Sequence, residues 1–255
     1  MRVRIDLSYD GTNYLGWQRQ PDSDSTIQSQ LEAAFSKVFG QAITVTGSGR
    51  TDRGVHAHHQ VAHFDIPKPL TTGNWVRSLQ SGLPDDITIQ NAYAAPEDFH
   101  ARYSVEKKTY IYRIWNAQRP NALESRYSWW LYNPFSVEQL NSYANLILGE
   151  HDFKSFQTAG TPVSSTLRTI FEAQWTRSGD VLEFRVTGNG FLKQMVRNLV
   201  GTMGQLAQRE APTKELKSIL GALDRQKALL TAPPHGLFLE KVFYPQELDN
   251  QCRQL

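Results

Sequence analysis

Cysteine is almost absent from this chain. The single one, Cys252, can close no intrachain disulfide and cannot build a cysteine-based zinc site, so a reducing compartment is expected. No apolar run approaches the roughly 20 residues that span a bilayer. The opening MRVRIDLSYD sets charges at every other position instead of forming the apolar core of a secretion signal. A soluble, cytoplasmic protein with no membrane partner is expected. A large charge of either sign is also lacking: 27 Lys and Arg face 25 Asp and Glu, a net of +2, too little to mark a nucleic-acid binder by itself. There is no P-loop, no dinucleotide fingerprint after a strand and no acidic metal cluster.

What is present is ordinary in bulk and uneven in placement. Hydrophobic residues make up 40% and charged residues 20%, which leaves no room for a disordered or fibrous chain. The length of 255 residues accommodates one large domain or two smaller ones. Between 102 and 119 the chain carries Arg102, Lys107, Lys108, Arg113 and Arg119 against Glu106 alone. Between 185 and 209 it carries Arg185, Lys193, Arg197 and Arg209 with no acid. Such local excess is what phosphate contacts require, and solvated charge on ordinary faces is the competing reading.

Hydrophobic periodicity gives the same plan twice. Residues 2–8 alternate as a strand, Ser25 to Gln28 matches a capping box, and Ile27, Leu31, Ala34, Phe35 and Val38 recur at helical spacing up to Gly40. Strands are predicted at 43–46, 61–66 and 87–94, with a short helix at 74–80. In the second half a strand at 108–115 precedes a helix opened by Ser136 and ending at Gly149, then strands at 170–176 and 181–187. A longer helix is predicted over 191–208, with Lys193 and Arg197 on the side opposite its apolar stripe. A Thr213-capped helix and a last strand at 237–243 follow. The expected fold class is α+β: two ferredoxin-like, RRM-like βαββαβ halves, residues 1–100 and 101–255, with adjacent antiparallel sheets and a central cleft. That topology hosts many activities, so it does not choose one.

The most unusual segment is the loop from Gly47 to Ala57. Its glycines at 47, 49 and 54 allow a large ligand to approach the backbone closely. Within it Asp52 sits between Arg50 and Arg53, a setting that favours the ionised carboxylate and a nucleophilic role. A structural ion pair is the alternative that this local pattern leaves open.

Five stretches together carry a resemblance. YDGTNYLGWQRQ at 9–20, GRTDRGVHA at 49–57, KKTYIY at 107–112, GNGFLKQMVR at 188–197 and PPHGLFL at 233–239 are similar to the motifs of the tRNA pseudouridine synthase A (TruA) family, in order and from first strand to last. The resemblance implies that Asp52 is the catalytic aspartate, that Tyr110 lies against the target base, that Arg197 pairs with Asp52, and that Arg50 helps hold the flipped nucleotide out of its helix. It implies a cofactor-free homodimer that modifies uridines 38, 39 and 40 in the anticodon stem-loop of tRNA. The expected cleft then becomes an RNA-binding one, with the first half carrying the Asp52 loop and the second completing the site. The chemistry asks for the same parts. Breaking N1–C1′, rotating the uracil and joining C5 to C1′ involves no net redox change, and it needs a carboxylate, a slot for the base and a group near C5 to take its proton. Extruding the base costs a few kcal/mol, for which Arg50, Arg53, Lys193 and Arg197 are the candidate compensating contacts.

A non-catalytic RNA-binding module would not need Asp52, and an aspartyl hydrolase would need a partner acid or metal, for which no Asp-x-Asp motif flanks Asp52. His56, His58, His59 and His63 invite a zinc site, but the strand period splits them between two faces. Without the resemblance, Tyr110 and Tyr112 read as core residues; Trp129, Trp130 and Trp17 can serve as stacking platforms, with a simple buttress the alternative for Trp17, and none is assigned.

Overall fold

The alternation that opens the chain forms β1 (Arg2–Tyr9), with Val3, Ile5 and Leu7 buried. The computed structural model describes residues 1–70, 73–158, 160 and 163–255. The first helix, α1 (Ile27–Phe39), is capped by Thr26, whose side chain accepts from the Ser29 N–H, and closes on Gly40 in the left-handed region at φ 66°. The cap is therefore Thr26, one residue later than the expected box, and Gln28 turns away from it to Glu32 and Val45. Next come β2 (Thr46–Gly47), β3 (His56–Asp65), α2 (Trp75–Gln80) and β4 (Ile87–Ala95). β1 lies between β3 and β4, antiparallel to both, and β2 is antiparallel to β3.

The strand predicted at 43–46 does not form beyond Thr46, and the reason is local. Ile43 and Val45 are buried as a strand's would be. Their backbone N–H groups, however, are claimed by side chains: Ile43 donates to Ser36 Oγ and Val45 to Glu32 Oε1, each at 3.0 Å. A segment whose donors are satisfied this way has no need of a ladder.

The chain continues through β5 (Lys107–Trp115), β6 (Trp129–Trp130), α3 (Val137–Ala144), β7 (Gly149–Asp152), β8 (Leu167–Ser178), β9 (Val181–Gly188), α4 (Met195–Gln208) and α5 (Thr213–Gly221). These strands run in the order β5-β9-β8-β7, antiparallel throughout, while the short β6 lies parallel to β5. α4 starts at Met195, four residues later than predicted, because Gln194 before it adopts φ 60° and cannot continue a right-handed helix backwards. α5 begins at Thr213 itself with Pro212 before it and no side-chain cap.

The chain closes with β10 (Leu237–Phe243), α6 (Gln246–Gln251) and β11 (Arg253–Gln254). The fold is α+β and its sheet pairing mostly antiparallel. By their contacts the residues divide into two units, Met1–Glu106 with Leu239–Leu255, and Lys107–Phe238. This division differs from the expected 1–100 and 101–255: β10 from Leu239 lies beside β3, and β11 pairs with β4, so the C-terminal segment is part of the first unit.

Arg4 fastens that segment. It is nearly buried, donates to Asp6 at 3.1 Å and to Asp249 of α6 at 2.5 Å, and its guanidinium carbon lies 4.9 to 5.5 Å from the ring centres of Tyr244, Tyr93 and Phe99. A buried cation needs such a set of partners to be tolerated.

His63, on β3, gives the first unit a pH dependence. Its Nδ1 accepts the Ala101 N–H at 3.2 Å, and burial, with the charges of Arg2 and His100, lowers its pKa from 6.5 to about 4. A histidine that resists protonation when folded stabilises the fold fully above its unfolded pKa, and that contribution is lost as the pH falls from 6.5 towards 4. Urea titrations across that window should show stability falling by up to about 3 kcal/mol. The same series on His63→Asn should be flatter; parallel curves would refute this source.

Candidate active site

The loop that carries Asp52 is held mainly by backbone. Ser48 N–H donates to Val61 O at 2.7 Å, Ser48 Oγ to Gln60 Oε1 at 2.6 Å, and Gln60 Nε2 to Gly49 O at 3.0 Å. Thr51 is buried and shares a 2.9 Å hydrogen bond with the Tyr9 hydroxyl, whose pKa burial pushes up to about 12. That hydroxyl is therefore a neutral structural group at ordinary pH. Val55 N–H turns back to Asp52 O at 3.1 Å, leaving Asp52 half-buried between exposed Arg50 and Arg53.

The 9–20 segment clamps the same loop from the other side. Trp17 N–H donates to Thr51 O at 3.1 Å, and Gly54 N–H to Tyr14 O at 3.3 Å. Gly16, at φ 101°, comes so close that a Cβ there would lie 2.6 Å from Thr51 O and 3.1 Å from the Asp52 carbonyl carbon. Gly47 makes room for the Trp17 ring, against which a Cβ would stand at 2.5 Å. Trp17 is buried, so it acts as the buttress of the loop and not as an open stacking face. Two of the motifs that carried the resemblance are thus one piece of structure, the first shaping the backbone of the second.

The histidines that follow are each occupied separately. His56 Nδ1 lies 3.1 Å from Gly11 N and 3.0 Å from the Asp10 carboxylate. His58 meets Glu240 at 2.6 Å, and His59 faces Asp6 at 3.5 Å while accepting from Val242 N–H. A register shift of β3 against Leu7 and Tyr9 breaks the simple two-face alternation here. Among the described residues no group of three or more His, Cys, Asp or Glu is placed to hold a metal ion.

The second unit carries the other candidates. Tyr110 lies on β5 opposite Val186, 9% exposed, and meets Phe191 edge-on with ring centres 5.0 Å apart. Tyr112, two residues on, is a core residue: its hydroxyl donates to Pro233 O at 2.9 Å and burial holds its pKa well above the usual range, against the opposing charge of Arg197. Arg197 is half-buried on α4, donates from Nε to Ala232 O at 2.8 Å, and its own carbonyl accepts the Ala232 N–H at 3.0 Å. Burial, helped by the Arg197 charge, also lowers the pKa of His235. Lys193 is exposed, and its carbonyl accepts the Thr158 N–H at 3.1 Å. Behind these residues Asn198, fully buried, donates to Phe156 O and accepts from Thr231 and Arg225.

Of the residues singled out from sequence, Asp52, Arg50 and Arg53 thus share one loop of the first unit, and Tyr110, Lys193 and Arg197 belong to the second. Sequence reasoning gave no role to Glu32, Gln60 or Asn198, read Gln28 only as part of a capping box, and left Tyr9, Gln18 and His235 unassigned inside the matched motifs. The pair Gln28 and Glu32, one turn apart on α1, was the available signal.

A family profile described as tRNA pseudouridine synthase matches residues 7–104 and 143–245. The chain belongs to the tRNA pseudouridine synthase family. Pseudouridine synthases are isomerases, and this chain is an enzyme of that class. The two matched stretches contain Arg50, Asp52, Arg53, Lys193 and Arg197, whereas Tyr110 falls between them. A tRNA pseudouridine synthase A of Bdellovibrio bacteriovorus is 45% identical over 261 residues, covering 100% of this chain and 99% of that protein. Its counterpart in Maridesulfovibrio salexigens is 42% identical, covering 95% and 90%. That of Bacillus subtilis is 40% identical, covering 96% and 99%. Among solved structures, a Cbf5-Nop10-Gar1 complex aligns at 13% identity over 79% of this chain and 44% of that chain, with a TM-score of 0.36. Among the described residues no helix is long and apolar enough to cross a membrane.

Proposed function

We propose that the chain converts uridine to pseudouridine at positions 38, 39 and 40 in the anticodon stem-loop of tRNA, with Asp52 as the nucleophile. The observation that carries this reading is the build of the Asp52 loop: its backbone is clamped from two sides while the carboxylate-bearing residue stays half-exposed. Preorganising one carboxylate while leaving an RNA free to reach it is what attack on an extruded nucleotide requires. Attack at C1′, addition to C6 and elimination to a glycal all draw on the same side chain. The N1–C1′ bond breaks with its electron pair staying on N1, the uracil turns, C5 bonds to C1′, and the C5 proton passes last to a base while N1 takes up a proton from solvent.

The first unit supplies the nucleophile and Arg50, which holds the everted nucleotide. Arg53 meets backbone phosphate. The second supplies Tyr110 against the base, Arg197 as the cation that pairs with the nucleophilic carboxylate, and Lys193 for phosphate. Each unit is further proposed as a ferredoxin-like half. The strand neighbours β4-β1-β3-β2 and the contact of α1 with α2 support this for the first. A cofactor-free homodimer working in the cytoplasm completes the reading, and it rests on the resemblance.

The test is to incubate the protein with unmodified tRNA transcripts and map pseudouridine by carbodiimide-dependent reverse-transcription stops. Stops within the anticodon arm at 38, 39 or 40 are expected. Stops elsewhere would remove the positional claim, and none at all would remove the activity from this substrate.

A further inference from the structure

A carboxylate can only accept hydrogen bonds, whereas a glutamine amide has one accepting and one donating end. In the first unit this asymmetry gives direction to a row of side chains that ends on Arg50. Glu32 of α1 is 7% exposed, and its Oε1 accepts the Val45 N–H and the Gln28 Nε2 group, each at 3.0 Å. Its Oε2 faces Arg19 Nη1 at 3.3 Å. Gln28, 8% exposed, must therefore turn its amino group to Glu32 and to Val45 O. Its oxygen is left to accept from Gln18 Nε2 at 2.8 Å and from the Arg19 N–H at 2.9 Å. Gln18 in turn presents its oxygen to Arg50 Nε at 3.0 Å. Rotating the Gln28 amide would oppose two acceptors at Glu32 and at Val45 O, and rotating Gln18 would oppose two acceptors at Gln28 and two donors at Arg50.

We propose that Gln18, Gln28 and Glu32 are positioning residues that aim Arg50 at the RNA. With Nε engaged by Gln18, the two terminal nitrogens of the exposed guanidinium remain to grip a phosphate or base edge in the fork geometry that arginine provides. A surface arginine otherwise loses much side-chain freedom on binding, and holding one nitrogen beforehand removes part of that cost. The buried end of the row matters because Glu32 cannot rotate into a donor, so the orientation it imposes on Gln28 and Gln18 persists in the absence of RNA. This inference rests on the proposed role of Arg50 in holding the extruded nucleotide.

The experiment uses the full chain and an unmodified tRNA transcript carrying 2-aminopurine beside a target uridine, whose fluorescence rises when the neighbouring base leaves the stack. The variants are Gln18→Lys, which keeps a donor towards Gln28 and loses the acceptor for Arg50, Gln18→Glu, which keeps that acceptor, Gln28→Met, and Arg50→Gln. Gln18→Lys and Gln28→Met should each lower kcat about tenfold and reduce the fluorescence rise, with KM little changed. Gln18→Glu should recover most of the loss. In an Arg50→Gln background, Gln18→Lys should add less than about twofold. If Arg50→Gln is impaired but the Gln18 and Gln28 variants are not, or if Gln18→Lys and Arg50→Gln losses multiply, the positioning role is overturned while that of Arg50 stands. If Arg50→Gln matches the wild type, both are wrong. A wild type that turns over none of the transcript overturns the functional reading itself.

Discussion

Asp52→Asn should bind tRNA as the wild type does and lose turnover by at least about a thousandfold, as removal of a nucleophile does in other enzymes. The neutral amide has nearly the same shape, but it lacks the charged oxygen on which each of the proposed routes draws. The loop should keep its form, because three bonds of its frame are made by the main chain: Trp17 N–H to Thr51 O, Gly54 N–H to Tyr14 O and Val55 N–H to Asp52 O. Filter binding, single-turnover pseudouridine formation and the thermal midpoint, measured together, separate lost chemistry from lost structure. A variant within tenfold of wild-type turnover would show that Asp52 is not the nucleophile.

Gly16→Ala should be the most damaging conservative change near the site. Its φ of 101° is strained for any L side chain, and the added carbon would stand 2.6 Å from Thr51 O with the Asp52 and Arg53 backbone beside it. None of those atoms belongs to a flexible side chain, so the loop itself must move. The combined cost is about 3 kcal/mol, and a displacement of Asp52 by ~1 Å would lower turnover by a further ~100-fold. Gly40→Ala is the control: its φ is 66° but no atom lies within 4 Å of the new carbon, so only about 1 kcal/mol is at stake and activity should hold. Similar outcomes for the two alanine variants would contradict the clamp.

Much of this was legible in the sequence because local patterns agreed with the fold. β10 has the predicted ends, 237 and 243, and α1, β4, β5 and β9 lie within a residue or two of expectation. β3 begins at His56, before the expected 61, and the helix expected to end at Gly149 stops at Ala144. Two other errors have a local cause. Residues 43–46 have a strand's composition, yet Ser36 and Glu32 take the donors a ladder would use. Phe191 continues the apolar stripe of α4, yet Gln194 turns left-handed before the helix begins. The candidate residues were visible as motif, while the frame behind them was not. Nothing in the string GWQRQ announces that its first glutamine receives Arg50, since the partner is 32 positions away and the orientation is decided on α1. Trp17 and the histidines likewise looked available to RNA or metal until their neighbours were known.

The clasp at Arg4 has a consequence for how the polypeptide acquires its form during synthesis. The first unit is discontinuous: its sheet takes β10 from beyond Leu239, and its buried cation takes a carboxylate 245 positions away. The intervening Lys107–Phe238 unit is continuous and can complete itself as soon as it leaves the ribosome, whereas the first stretch must wait with an edge of β3 uncovered and Arg4 short of one partner. Long-range closure of this kind slows assembly and exposes unfinished sheet to other chains. Completion of the unit that carries Asp52 is therefore expected only after residues 239–255 have been made, and pulse-proteolysis of stalled nascent chains should find residues 107–238 protected before residues 1–106.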